Sequence, residues 1–273
     1  LSSFIQESAT YKVYEKNSGH RTISEIVNFF TFKNWLNKIR SKDKLHYTVR
    51  NITGFFSKLF GNFVGQFQMR RGKLYENKEV EKEISSELQP FDIIFEKTPF
   101  RLTDRFIPGY WGHVAIWIGT ESDLRVLNLW NNPLVKKYYN EIQNNRSIVE
   151  ALRPGVQINS LRHFMDVDDF AIIRNEELSY EEMQEGILTA IEQIGKKYDF
   201  NFDVETQDSL VCSELIYMSY TNEKWGTSRH LGRWDIIPDD VAEQSTGSGN
   251  FKVTTLYHDG EKVLSGLTQK MKA

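Results

Sequence analysis

Cys212, His113 and Glu150 are the residues whose types and settings suit acyl transfer. Cys212 is the sole cysteine of the chain. A cysteine attacks as its thiolate, and a free thiol titrates near ~8.5, so a reactive one needs a helix N-terminus or an imidazolium beside it. The run Asp208-Ser209-Leu210-Val211-Cys212-Ser213-Glu214-Leu215 reads as a loop entering a helix. Free backbone N–H groups would then face the sulfur, and the Cys212 N–H is the natural first donor to an oxyanion. Taken alone, the cysteine reads equally well as a small buried hydrophobe.

His113 opens the apolar run Val114-Ala115-Ile116-Trp117-Ile118, a strand whose end is a rigid perch for a general base. A histidine there can also be satisfied by a backbone carbonyl. Glu150 lies among apolar neighbours in Ser147-Ile148-Val149-Glu150-Ala151. An acid on such a strand needs a partner, and an imidazole N–H is a suitable one.

The elements that must hold these residues follow from periodicity. Between Thr22 and Arg40, and again between Ile52 and Met69, apolar residues recur at three- and four-residue steps, which predicts two amphipathic helices. The second carries Phe55, Phe56, Phe60, Phe63 and Phe67. A third, charged helix over Lys73–Leu88 is stopped by Pro90, and a domain boundary is expected there. After it come short β-rich runs at Phe91–Glu96, His113–Gly119, Arg125–Leu129, Ile148–Leu152, Val156–Ile158 and Phe170–Arg174, predicting a mainly antiparallel sheet. Tyr180–Lys196 reads as a helix capped by Ser179, a second helix starts near Cys212, and Phe251–Leu264 reads as a hairpin turning at Asp259–Gly260. The expected organisation is α+β, with a helical region over 1–88 and a chemistry-bearing domain over 89–273 that ends in the hairpin.

Composition removes several classes. A net charge of −3 with both signs interspersed gives no general reason to expect nucleic acid as a partner. His20, His46, His163 and His230 have no metal-ligand spacing, and Asp199, Asp203 and Asp208 lack the glycine-centred pattern of a calcium loop. Gly54, Gly61 and Gly65 do not follow a strand as a phosphate loop should. No cofactor or metal is expected. One cysteine cannot form an internal disulfide, which leaves the redox compartment open. Because the sequence begins at Leu1, removal of an initiator or of an export signal is the expectation. Localisation and oligomeric state stay undetermined.

Several separate motifs resemble one family, the circularly permuted branch of the NlpC/P60 cysteine hydrolases in its YiiX/YebB-like group. The likeness runs from about Gln89 to Gln244. Pro90-Phe91-Asp92-Ile93-Ile94-Phe95 is similar to the family's opening strand, with Phe91 where glycine is usual. Gly112-His113-Val114-Ala115-Ile116 resembles the histidine segment, and Val149-Glu150-Ala151 the strand of the third polar residue. Gly195-Lys196-Lys197-Tyr198-Asp199-Phe200 and Val211-Cys212-Ser213-Glu214-Leu215 resemble the helix end and the nucleophile segment, and Ile237-Pro238-Asp239-Asp240-Val241-Ala242 the closing one. The resemblance implies a permuted papain-like fold, with Cys212 as nucleophile, His113 as general base and acid, and Glu150 orienting the imidazole. Tyr198 is a candidate donor to the oxyanion or substrate, or a packing residue.

The implied reaction is hydrolysis through an acyl-enzyme, on short cell-wall-type peptides. One alternative is hydrolysis or transfer of lipid acyl groups at a membrane, with residues 52–73 as a peripheral contact that combines phenylalanines with Lys58, Arg70, Arg71 and Lys73. Another is a binding or effector protein that keeps the fold without the chemistry.

Overall fold

The structure, a computed structural model, describes residues 70–101, 109–152, 155–198, 209–225, 228–230, 233–246 and 249–271. The two helices expected over 22–40 and 52–69 lie outside these residues. In chain order the described elements begin with helix α1 (Lys78–Glu87), strands β1 (Asp92–Lys97) and β2 (His113–Trp117), and the short helices α2 (Glu121–Val126), α3 (Pro133–Lys136) and α4 (Tyr139–Gln143). Then come β3 (Arg146–Leu152), β4 (Gly155–Ser160), α5 (Leu161–Phe164), β5 (Asp169–Asn175), α6 (Tyr180–Glu192), β6 (Lys197–Tyr198), β7 (Ser209–Leu210) and α7 (Cys212–Ser219). The last are β8 (Ser228–His230), β9 (Arg233–Asp235), α8 (Pro238–Glu243), β10 (Phe251–His258), β11 (Glu261–Lys262) and α9 (Leu267–Lys270).

Seven strands form one sheet in the order β11-β10-β5-β1-β2-β3-β4, with every neighbouring pair antiparallel. Its central strands are covered on both faces, which explains why β1 and β2 read as near-continuous apolar runs rather than as a polar/apolar alternation. Ile93, Phe95, Val114 and Ile116 join the core built with α6 and α7, which also holds Cys212. Ile94, Ala115, Trp117 and Ile172 face the other way, into a second core with Leu74, Ile84, Leu161 and Phe164. The hairpin is integral to the sheet, since β10 pairs along β5. Its turn places Asp259 and Gly260 at φ 54° and 86°, the pair of positive values that a two-residue hairpin turn demands.

One expected strand is absent. Arg125–Leu129 lies at the end of α2 and in the turn that follows. Local chemistry decides this: Thr120 and Asp123 form a reciprocal capping box that starts the helix, and Asn128 ends the turn at φ 55°. Alternation of apolar residues over so short a stretch could not separate the two outcomes.

Two buried contacts fix the opening strand. Asp92 receives Nε and Nη2 of Arg174, each at 2.7 Å, and the N–H of Gln89 at 2.8 Å. Burial raises the Asp92 carboxyl above its ordinary value although Arg174 opposes the shift. Phe91 adopts φ 70°, and its ring stacks on Tyr220 at 4.0 Å while lying under Gly186, where a Cβ would meet it at 2.0 Å. The Phe91 position thus demands a left-handed backbone, the conformation that favours glycine.

Candidate active site

The first residue of β2 is His113, and β3 runs antiparallel beside it with Ile116 opposite Val149. Glu150 follows Val149 and so falls on the same face of the sheet as His113. The His113 Nε2 lies 2.9 Å from Oε2 of Glu150, with both side chains buried. The second carboxylate oxygen, Oε1, accepts from Nδ2 of Asn159 on β4 at 2.9 Å. Each oxygen of Glu150 therefore has a donor, which holds the carboxylate in one orientation. Sequence reasoning did not single out Asn159, because an asparagine on an edge strand carries no signal of its own.

Cys212 is the first residue of α7 and is buried. At that position its N–H has no intrahelical acceptor. The helix start is fixed by the N–H of Val211, which donates to Glu214 at 2.9 Å, and by the Ser213 hydroxyl, which donates to the carbonyl of Ile236. Valine has no side-chain acceptor, so only the glutamate half of a capping box operates here.

His113 and Cys212 interact. Burial works to lower the imidazole pKa, but Cys212, through charge and a hydrogen bond, then Glu150, and then Glu96 raise it well above its ordinary value. With Nε2 on Glu150, the ring nitrogen left for the sulfur is Nδ1. Glu96 is the direct cross-strand partner of His113 in the β1–β2 register and is itself buried, with Arg101 3.7 Å away. The imidazole is thus held between a sulfur and two acidic side chains, a setting that favours its protonated form.

Tyr198 lies on β6, where it pairs in parallel with Leu210 of β7, two residues before Cys212. Asp199, Asp203, Asp208, His20 and His46 lie outside the described residues, and His163 is exposed on α5. Among the described residues no group of three histidine, cysteine or acidic side chains could hold a metal ion.

The closing segment makes a contribution that its motif does not reveal. Asp239, near the start of α8, accepts the backbone N–H groups of Tyr110 at 2.7 Å and Trp111 at 2.8 Å, just ahead of His113. A Cβ on Gly109 would lie 2.4 Å from that carboxylate, and Gly109 has φ +97°. Residues 236–239 therefore hold the nucleophile helix through Ser213 and the histidine strand through Asp239.

Residues 87–270 match the family described as permuted papain-like amidase enzyme, YaeF/YiiX, C92 family. The chain belongs to the permuted papain-like amidase family. Its antiparallel sheet, packed on α7, agrees with that fold. Among solved structures, metalloprotein yiiX from Escherichia coli O157:H7 is 20% identical, with 66% of this chain and 90% of that one covered and a TM-score of 0.38. A comparison with curated proteins gave no match.

Proposed function

We propose that this member of the permuted papain-like amidase family is a cysteine hydrolase that cleaves amide bonds of short peptides through an acyl-enzyme on Cys212. The observation that carries the reading is the chain of contacts from Asn159 through Glu150 to His113, which turns one imidazole nitrogen away and leaves the other for the cysteine. An imidazole bonded only to neutral groups would favour its neutral form, whereas the neighbours of this one favour the protonated form.

As the sulfur attacks, Nδ1 of His113 takes the thiol proton of Cys212 as general base. The sulfur attacks the substrate carbonyl, a C–S bond forms, and the electron pair of the C=O moves onto oxygen. The Cys212 N–H donates to that oxyanion, a role in which a single donor is worth several kcal/mol. As the C–N bond breaks, Nδ1–H gives its proton to the leaving amine, and the thioester remains. Water then attacks the thioester carbon and loses its proton to Nδ1. The C–S bond breaks, the carboxylic acid leaves, and the proton on Nδ1 returns to the sulfur. Glu150 keeps the ring oriented throughout and stabilises its positive charge.

The three cations at the start of the described chain bear on the membrane alternative. Arg70 pairs with Asp168, Arg71 with Asp166 and Lys73 with Asp259, so their charges are committed within the fold. This weighs only on the basic end of the expected membrane contact, since Lys58 and the phenylalanines of residues 52–69 lie outside the described residues.

The test is covalent. A peptide thioester or activated-ester probe should add one acyl group to the wild-type protein by intact mass. Cys212→Ala should add none while keeping the wild-type circular dichroism spectrum. Acylation retained in Cys212→Ala rejects the assignment.

A further inference from the structure

A groove of about 620 Å³ opens between α1 on one side and the ends of α2, α4 and α5 on the other. That is the size of a site for a small organic molecule. None of Cys212, His113 and Glu150 lines it. Trp117 does, at the opposite end of β2 from His113, so about 13 Å of strand separates the groove from the imidazole.

The charges around it are unequally committed. Glu81 is bonded to Nε of Arg162 at 3.1 Å. Glu121 is bonded to Arg125 at 2.9 Å and to Gln143 at 3.0 Å. Both acids of the groove are thereby neutralised. Lys78 and Lys82, one turn apart on the α1 face that lines the groove, have no ion pair among the described residues, and Arg162 uses only Nε, leaving its terminal nitrogens. Residues four apart on a helix are neighbours about 6 Å from each other, a spacing at which two ammonium groups converge on one anion.

A second observation is independent of charge. Trp117 is 4% exposed, and its indole Nε1–H is a buried donor with no acceptor among the described residues. An indole N–H is a donor only, and leaving one unpaired costs about 1–3 kcal/mol. The serine hydroxyls of Ser85 and Ser122 also line the groove and suit a hydroxylated ligand.

We propose that this groove is a second ligand site, separate from the Cys212 centre, for a small phosphate monoester on a hydroxylated carbon skeleton. A dianion matches the two uncommitted ammonium groups better than a monoanionic carboxylate, and the terminal nitrogens of Arg162, whose charge Glu81 offsets, add hydrogen-bond donors to its oxygens. The same chemistry could arrive as a soluble metabolite or as a lipid headgroup.

Calorimetric titration of the full chain with glycerol 3-phosphate, inorganic phosphate and glycerol tests the site, alongside co-sedimentation with phosphatidylcholine vesicles with and without phosphatidic acid. Glycerol 3-phosphate should bind saturably, with Kd of about 1 mM or tighter, and should move one indole N–H resonance that Trp117→Phe removes. Lys78→Gln with Lys82→Gln should weaken binding at least about tenfold, and glycerol should not bind. Binding confined to phosphatidic acid vesicles, with the same lysine dependence, supports the site and names the lipid as the source. Three results overturn the proposal: no binding to either form, binding unchanged in the double variant, or inorganic phosphate binding as tightly as its ester. Acylation of Cys212 is a separate readout, so failure here leaves the amidase reading standing.

Discussion

Asp239 and Trp111 are joined by a hydrogen bond of 2.8 Å from backbone N–H to carboxylate, and the same carboxylate holds the N–H of Tyr110. Charge-assisted bonds of this kind contribute roughly 1.5–3 kcal/mol each. The segment they hold leads directly into His113, while the neighbouring Ile236 carbonyl anchors Ser213 beside Cys212. Asp239→Ala should therefore lower the acylation rate of Cys212 by about 10- to 100-fold, since small misplacements of reacting groups cost that much. Asp239→Asn, which keeps one acceptor oxygen, should recover part of the rate. Equal acylation rates in all three proteins would show that the clamp does not position the site.

The imidazole charge makes a pH prediction. Cys212, Glu150 and Glu96 raise the His113 pKa against its burial. A group whose folded pKa is raised contributes stability that is complete below its unfolded value, near ~6.5, and that is lost as pH rises through the folded one. Thermal melts should accordingly lose stability above about pH 6.5, and the His113 ring resonances should titrate above that point. Glu96→Gln should move the His113 midpoint down while leaving the Glu150 bond in place. An unmoved midpoint would remove Glu96 from the electrostatics of the site.

What the sequence made legible depended on whether the deciding interaction is local. Ser179 with Glu182, and Asp259 with Gly260, act within a few residues, so the α6 cap and the hairpin turn are where periodicity and turn chemistry place them. The His113–Glu150 juxtaposition follows from two antiparallel strands whose apolar runs are unmistakable. Asn159, Glu96 and Asp239 were not legible, because each acts through register or through a distant loop that no single-strand pattern encodes. Arg125–Leu129 failed for the opposite reason: a capping box just upstream overrode a β-like composition.

Phe91 offers a test of packing against backbone preference. Replacing it with glycine relieves a left-handed strain of about 1–2 kcal/mol. It also removes a buried aromatic side chain worth about 3–5 kcal/mol, one that stacks on Tyr220. The net effect should be a loss of about 1–4 kcal/mol in urea denaturation. Gly186→Ala, whose Cβ would collide with the Phe91 ring, should destabilise the wild-type protein by about 1–3 kcal/mol. The same change should be neutral or stabilising in the Phe91→Gly background, where alanine's helix propensity is free to act. Additive effects in this double-mutant cycle would contradict the contact.

Glu150 should divide its effect between charge and orientation. Glu150→Gln has nearly the same shape, but one end of an amide is a donor. It therefore cannot accept from both Asn159 and His113 as the carboxylate does. Turning toward His113 would leave Asn159 unpaired, and turning toward Asn159 would present N–H to the imidazole. The expected result is a fall of at least about 100-fold in acylation rate, with a His113 midpoint lower than in the wild type. Asn159→Ala keeps the carboxylate charge and frees only one oxygen, so it should cost about tenfold in rate with little change in the midpoint. If the two variants lowered rate and midpoint alike, the carboxylate charge would not be the property that matters, and orientation alone would account for the role of Glu150.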